Sequence, residues 1–265
     1  MLFKQLTLPH VDTGLVPDDL DIVVPTHPEI PDVDEKYIHS LAFIPWSDKY
    51  LARVPTGYQN FYKSILPMLN ARTTDVHSAL SVSFIDELIA ISKQDVNRHI
   101  LIIAFLLHDI GWAKLTPAQI ALSLNCSAFT YTEEALEPKR LHASVGSEIA
   151  ASVLKNNTDM YLSDEDKKYI VKLVRFHDQI DPWPEKPEPI EYLLLGDADR
   201  LWSYTHENFW LDTIRKNTMP REYLDNITSS IDGYFLTEAG KTIARRQVTV
   251  LLNEVNELEK TSNYE

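Results

Sequence analysis

The stretch that constrains this chain most runs from Ile100 to Trp112, ILIIAFLLHDIGW. Eight consecutive apolar residues, Ile100 to Leu107, lead directly into His108 and Asp109. A run with no polar face belongs inside a fold. It therefore delivers an imidazole and a carboxylate to the edge of the core, where an unpartnered charge is costly. A metal ion resolves that cost, because both groups are good ligands for Mn, Fe, Zn or Co. Hydrophobicity alone fits a buried strand as well as a buried helix. Asp95, however, is placed to cap a helix starting at Val96, and Val96 to Asp109 is about four turns long. Gly111 then ends it, so the segment is read as a helix.

The rest of the chain from Tyr58 onward also reads as helices. Phe61, Ile65 and Leu69 recur at spacings of four between Asn60 and Asn70. Asp75 is placed to cap a helix that carries His77, Leu80, Phe84 and Leu88 on one face. Pro117 and Gln119 open a short helix through Leu124, and Cys126 to Leu136 reads as a loop or helical turn. Pro138 opens a helix through about Lys155, with His142, Val145, Ile149 and Val153 on one stripe. Ser163 and Asp166 have the spacing of a capping box for a helix ending at His177. Four prolines, Pro182, Pro184, Pro187 and Pro189, force a loop before a helix over Glu191–His206. Segments near 207–217, 220–235 and 238–260 complete an all-α body, consistent with only 7 glycines and few alternating runs.

Residues 1–50 differ. Six of the 15 prolines fall there (Pro9, Pro17, Pro25, Pro28, Pro31, Pro45), which predicts an irregular arm packed on the body. Leu20 to Val24 is its one candidate edge strand, and Phe43, Trp46, Tyr50 and Leu51 are candidate anchors. Two parts are expected: the arm, 1–50, and a helical domain, 51–265.

The charge balance of 25 basic and 39 acidic residues gives a net −14, which argues against a nucleic-acid surface. It leaves room for a small anionic substrate, since a bound dication and a few local bases dominate the field inside a cleft. No apolar run reaches the roughly 18 residues of a membrane span, and the first residues lack the pattern of a secretory signal. A cytoplasmic location and no membrane partner are therefore expected. The single cysteine, Cys126, reads as a small buried or semi-buried apolar residue. The long segment Glu238 to Lys260 either pairs with a second copy, giving a homodimer, or finishes the bundle.

Helical spacing places several polar residues on apolar stripes. His77 shares a face with Leu80 and Leu88, and His142 with Val145 and Ile149. His177 follows Ile170, Leu173 and Val174, and Asp199 lies among Tyr192, Leu195 and Trp202. Taken singly, each reads as a hydrogen-bonded core residue. Taken together with His108 and Asp109, they would need many separate buried partners, whereas one shared metal centre satisfies them all.

These motifs, HSALS at 77–81, LLHDIGW at 106–112, LHASVGSEIA at 141–150, FHD at 176–178 and DADRL at 197–201, resemble the HD-domain superfamily of metal-dependent phosphohydrolases. The likeness covers about residues 58–215. It implies an all-α HD bundle in which His77, His108, Asp109 and Asp199 bind one divalent metal. Members with two extra histidines are the more similar ones; there Asp109 would bridge to a second ion held by His142 and His177. Mn or Fe is expected, with Mg, Co, Zn or Ni as alternatives.

The implied reaction is hydrolysis of a phosphate ester or phosphoanhydride of a small molecule, a nucleotide first, by metal-activated water. Asp197 or Asp178 is the candidate acid or base, alongside Asp109. Lys114, Arg200 and Arg175 are the candidate anion-binding groups, with Lys139 and Arg140 next. Arg245 and Arg246 would contribute only if the C-terminal helix crosses the cleft. Trp112, Trp183 and Trp202 read mainly as core or loop anchors. A different class shares the ligand set: mixed-valent di-iron oxygenases of the same superfamily, acting on phosphonates or polyols. A non-catalytic sensor that binds a nucleotide or metal is the third reading.

Overall fold

The computed structural model describes residues 1–6, 14–26, 29–124, 132–157 and 159–262. Cys126 lies outside them, as do Pro9 and Pro28. Among the described residues the structure is all-α, with one small hairpin in which β1 (Phe3–Leu6) pairs antiparallel with β2 (Gly14–Pro17). The strand expected over Leu20 to Val24 is reduced to one bridge between Val23 and Phe43. Its neighbours are taken up by turns, and Val16, Leu20 and Ile22 are buried against the body instead.

Helix α1 (Asp48–Leu51) and α2 (Gln59–Ile65) lead to α3 (Thr74–Ser81), and α4 (Ile85–Ser92) follows after a 3-10 turn at Val82–Phe84. The single helix expected across His77 to Leu88 is thus broken at its middle. The central helix is α5 (Arg98–Leu107), whose Ile100 to Leu107 are all buried. Its cap is Asn97, not Asp95: the Asn97 side chain accepts a hydrogen bond from the Ile100 amide at 3.2 Å. The chain leaves α5 through His108 and Asp109 into a 3-10 turn, Ile110–Lys114, so the tight turn starts one residue before Gly111.

Helix α6 (Pro117–Leu124) and the long α7 (Glu133–Asn156) come next. Thr132 caps α7 by accepting from the Ala135 amide, so the helix begins five residues before Pro138. Pro138 therefore lies inside the helix, at its sixth position, where it forgoes one intrahelical hydrogen bond. The capping box of Ser163 and Asp166 is formed at the head of α8 (Asp164–Phe176). Then come α9 (Ile190–Leu201), which stops short of His206, α10 (His206–Arg215), α11 (Pro220–Tyr234) and α12 (Glu238–Ser262).

Helix α5 packs against α4, α8 and α9, while α7 lies across α8 and the Ile110–Lys114 turn. This arrangement brings the C-terminal ends of α5 and α8 to the same place as the middle of α7. Among the described residues, no single helix is long and apolar enough to cross a membrane.

Candidate metal centre

His108 and Asp109 stand at the end of α5, where the buried run meets the 3-10 turn. His77 comes from α3, His142 from α7, His177 from the end of α8 and Asp199 from α9. All four imidazoles and Asp109 are buried.

The Asp109 carboxylate lies between two pairs of rings. Its Oδ2 faces His77 Nδ1 at 3.1 Å and His108 Nε2 at 3.6 Å. Its Oδ1 faces His142 Nε2 at 3.4 Å and His177 Nε2 at 3.5 Å. Asp199 joins the first group, with Oδ1 3.2 Å from His77 Nε2 and 3.5 Å from His108 Nε2. Two triads that could hold a cation therefore share one residue: His77, His108 and Asp109, and Asp109, His142 and His177.

The proton positions favour ligation. Nδ1 of His108 is 2.5 Å from the Phe105 carbonyl, and Nδ1 of His177 is 2.7 Å from that of Val174. Those nitrogens donate to the carbonyls, which leaves each Nε2 with a lone pair turned inward. The His77 and His108 Nε2 atoms are buried and have no hydrogen-bond partner among the described residues. His142 and His177 bring Nε2 to Nε2 at 3.1 Å. So many inward lone pairs cannot satisfy one another, and a divalent cation suits them.

The charges agree. Burial opposes ionisation of Asp109, but His108 and the surrounding imidazoles hold it well below the usual carboxylate range. Asp199 is held low against its burial by His108 and His77. Burial also opposes protonation of His108, yet Asp109 and then Asp199 raise its pKa to about 9. Burial lowers His142. A cation would take the place of the proton that these carboxylates draw onto His108.

Two indoles fix the rings. Trp112 stacks on His142 at 4.1 Å between centroids and donates Nε1–H to Asp109 Oδ1 at 2.9 Å. Trp202 stacks on His77 at 5.1 Å. Trp183 instead packs against Tyr169, Phe176 and Tyr192, away from the rings.

A cleft of about 390 Å³ opens on these residues. Its walls carry Arg72, Lys139, Arg140, Arg200, Arg215 and Lys216, a local concentration of bases in a chain of net charge −14. Arg200 donates to Gln179 at 2.7 Å, and its Nη1 is buried without a partner. Asp178 lines the same cleft; Lys139, 3.8 Å from its Oδ1, and the nearby imidazoles hold it ionised against the effect of burial. Its Oδ2, 3.7 Å from His142 Nε2, has no hydrogen-bond partner.

Three sequence candidates fall elsewhere. Asp197 accepts hydrogen bonds from the Leu236 and Thr237 amides and the Thr237 hydroxyl, so it holds the start of α12 and does not face the cleft. Lys114 is exposed at the end of the 3-10 turn. Arg175 donates to Asp181 at 3.0 Å outside the cleft. Arg245 and Arg246 pair with Asp232 and Glu87 at the surface. Conversely, Arg72 and Arg215 were not expected. Arg72 lies over the Trp112 ring at 4.3 Å, and the only hint of either in the sequence is its position beside a helix end.

A buried cluster of imidazoles and carboxylates, open to a basic cleft and suited to divalent cations, defines the class of protein. Residues 76–202 match the family model of the HD domain, a family whose members are mostly metal-dependent hydrolases. All six converging residues lie within the match. No curated protein and no solved structure matches the chain.

Proposed function

We propose that the protein is a metal-dependent phosphohydrolase that cleaves a phosphate ester or phosphoanhydride of a small molecule, with nucleotides the first class to test. The observation that carries this reading is the division of Asp109, one oxygen to each pair of imidazoles, beside a cleft lined by bases.

His77, His108, Asp109 and Asp199 would hold one ion, and His142 and His177, with Asp109 between, a second. Mn or Fe fits this nitrogen and oxygen set best, and Mg, Co, Zn or Ni are alternatives. When bound, the ions supply Lewis acidity that polarises a phosphoryl group and lowers the pKa of water. Arg200, Lys139 and Arg72 place positive charge where the phosphoryl oxygens gain negative charge. Asp178 is ionised and has a free oxygen, so it accepts a proton from the attacking water and passes it to the leaving oxygen. Trp112 and Trp202 keep the imidazole planes fixed by stacking.

The test is metal analysis of the purified protein, with phosphate release measured on aryl phosphates and a nucleotide panel. Two ions per chain are expected, falling to none in Asp109→Ala and to one in His142→Ala, with turnover lost in the first. Metal-loaded protein that releases no phosphate from any substrate, or iron-loaded protein that consumes oxygen with a phosphonate or inositol, would overturn the proposal.

A further inference from the structure

Next to the metal cleft is a second chamber of about 510 Å³, within the size range of ligand sites. One wall comes from the N-terminal arm, through Leu41, Phe43 and Trp46, and the other from α6, through Ile120 and Leu124. Both chambers are lined by Arg72, Leu124 and Arg215, so they meet at these residues.

The junction is built at some cost. Arg72 and Thr73 both have left-handed backbones, with φ of 58° and 68°, and neither is glycine. Such strain persists only where the surroundings impose it. The buried Arg215 braces this turn: its guanidinium donates to the Ala42 carbonyl at 2.8 Å, the Arg72 carbonyl at 3.2 Å and the Thr73 hydroxyl at 3.3 Å. One side chain thus ties the arm to the turn that lays Arg72 over Trp112.

We infer that this chamber receives the organic group esterified to the phosphate, and that the substrate carries a bulky aromatic or alkyl group. The inference rests on the phosphohydrolase reading. A phosphate held by the bases of the first chamber has its ester oxygen next to the shared arginines, and the group beyond that oxygen enters apolar walls. The partly exposed rings of Phe43 and Trp46 offer it faces to pack on. The arm, outside the HD match, is on this account the part of the chain that selects the substrate.

The experiment is calorimetric titration of the metal-loaded protein with 1-naphthylphosphonate and with methylphosphonate, which share the anionic group and are not hydrolysed. Naphthylphosphonate is expected to bind at least about tenfold more tightly, and the ratio to collapse towards one in Phe43→Asp and in the variant of a second lining residue of the arm, Ile30→Asp. Circular dichroism and thermal melts identify a variant that has not folded, and two variants are used for that reason. Equal affinity for the two ligands, or an unchanged ratio in both folded variants, overturns the inference. Naphthyl-selective binding without turnover of any phosphate ester would overturn the hydrolase reading alone. Equal hydrolysis of ethyl and naphthyl phosphate would overturn the chamber alone.

Discussion

Replacing Gly111 by alanine would drive a methyl group into the backbone of α7. A Cβ built at Gly111 lies 2.7 Å from the Gly146 amide nitrogen and closer still to the His142 carbonyl oxygen. Both are main-chain atoms, so no rotamer change relieves the clash. Reaching ordinary contact at 3.4 Å with Gly146 alone requires α7 to retreat by about 0.7 Å, and the His142 carbonyl demands more. Since the same backbone carries the His142 ring, the retreat pulls Nε2 from the Asp109 oxygen it now meets at 3.4 Å. Overpacking of this kind costs about 1–3 kcal/mol. At about 2–4 °C per kcal/mol for a chain of this size, the melting temperature should fall by roughly 2–12 °C. A catalytic group displaced by about 1 Å can lose on the order of 100-fold in rate. The assay is a thermal melt with metal content measured on the same samples. Gly233→Ala is the control, because a Cβ there meets nothing within 4 Å and the residue is helical; it should stabilise by about 0.5–1 kcal/mol. If Gly111→Ala keeps both the wild-type melting temperature and its full metal content, the close approach of turn and helix is not what places His142.

Asp197→Ala strips the start of α12 of three hydrogen bonds to a carboxylate and should cost about 3 kcal/mol in urea unfolding, while metal content is retained; metal loss at unchanged stability would return Asp197 to the site. Arg200→Ala should raise the KM for a phosphate ester about 10-fold to 100-fold, as expected for losing a charged hydrogen bond, whereas Arg175→Ala should change it little. His206 pairs with Glu254 at 2.8 Å and has Asp19 3.5 Å away; burial opposes its protonation, but these carboxylates raise its pKa. Its contribution is therefore full below the ordinary histidine pKa of about 6.5 and fades as pH rises through the higher folded value. The melting temperature of the wild type should drop more than that of His206→Gln between about pH 6 and pH 9, and parallel profiles would refute the pairing.

The inward polar residues could be found in the sequence because helical periodicity decides which way a side chain points, and each of His77, His142, His177 and Asp199 sits on an apolar stripe. The choice between Asp197 and Asp199 was open to the same reasoning. Two residues on a helix are about 200° apart, so only one of them can share the cleft. The bases were not legible in that way. Lys114 and Arg175 are near ligands in sequence, but their direction depends on a 3-10 turn and on Asp181. Arg72 and Arg215 reach the cleft through a left-handed turn and a contact across 143 residues, which no local pattern encodes. The start of α7 lies upstream of Pro138 for a simpler reason: Thr132 caps the helix, which then runs on through the proline at its sixth position.

The hydrogen bond from Arg215 to the Ala42 carbonyl makes trimming hazardous. A fragment cut to the boundaries of the HD match, 76–202, would lack both partners of that bond and the helix that Asp197 secures. A fragment lacking only the first fifty residues would remove one of the three acceptors that hold the buried Arg215 guanidinium, next to the turn that aims Arg72. Shortened forms of this protein should therefore be expected to melt early and to misplace their bases, even though every proposed metal ligand is still present in them.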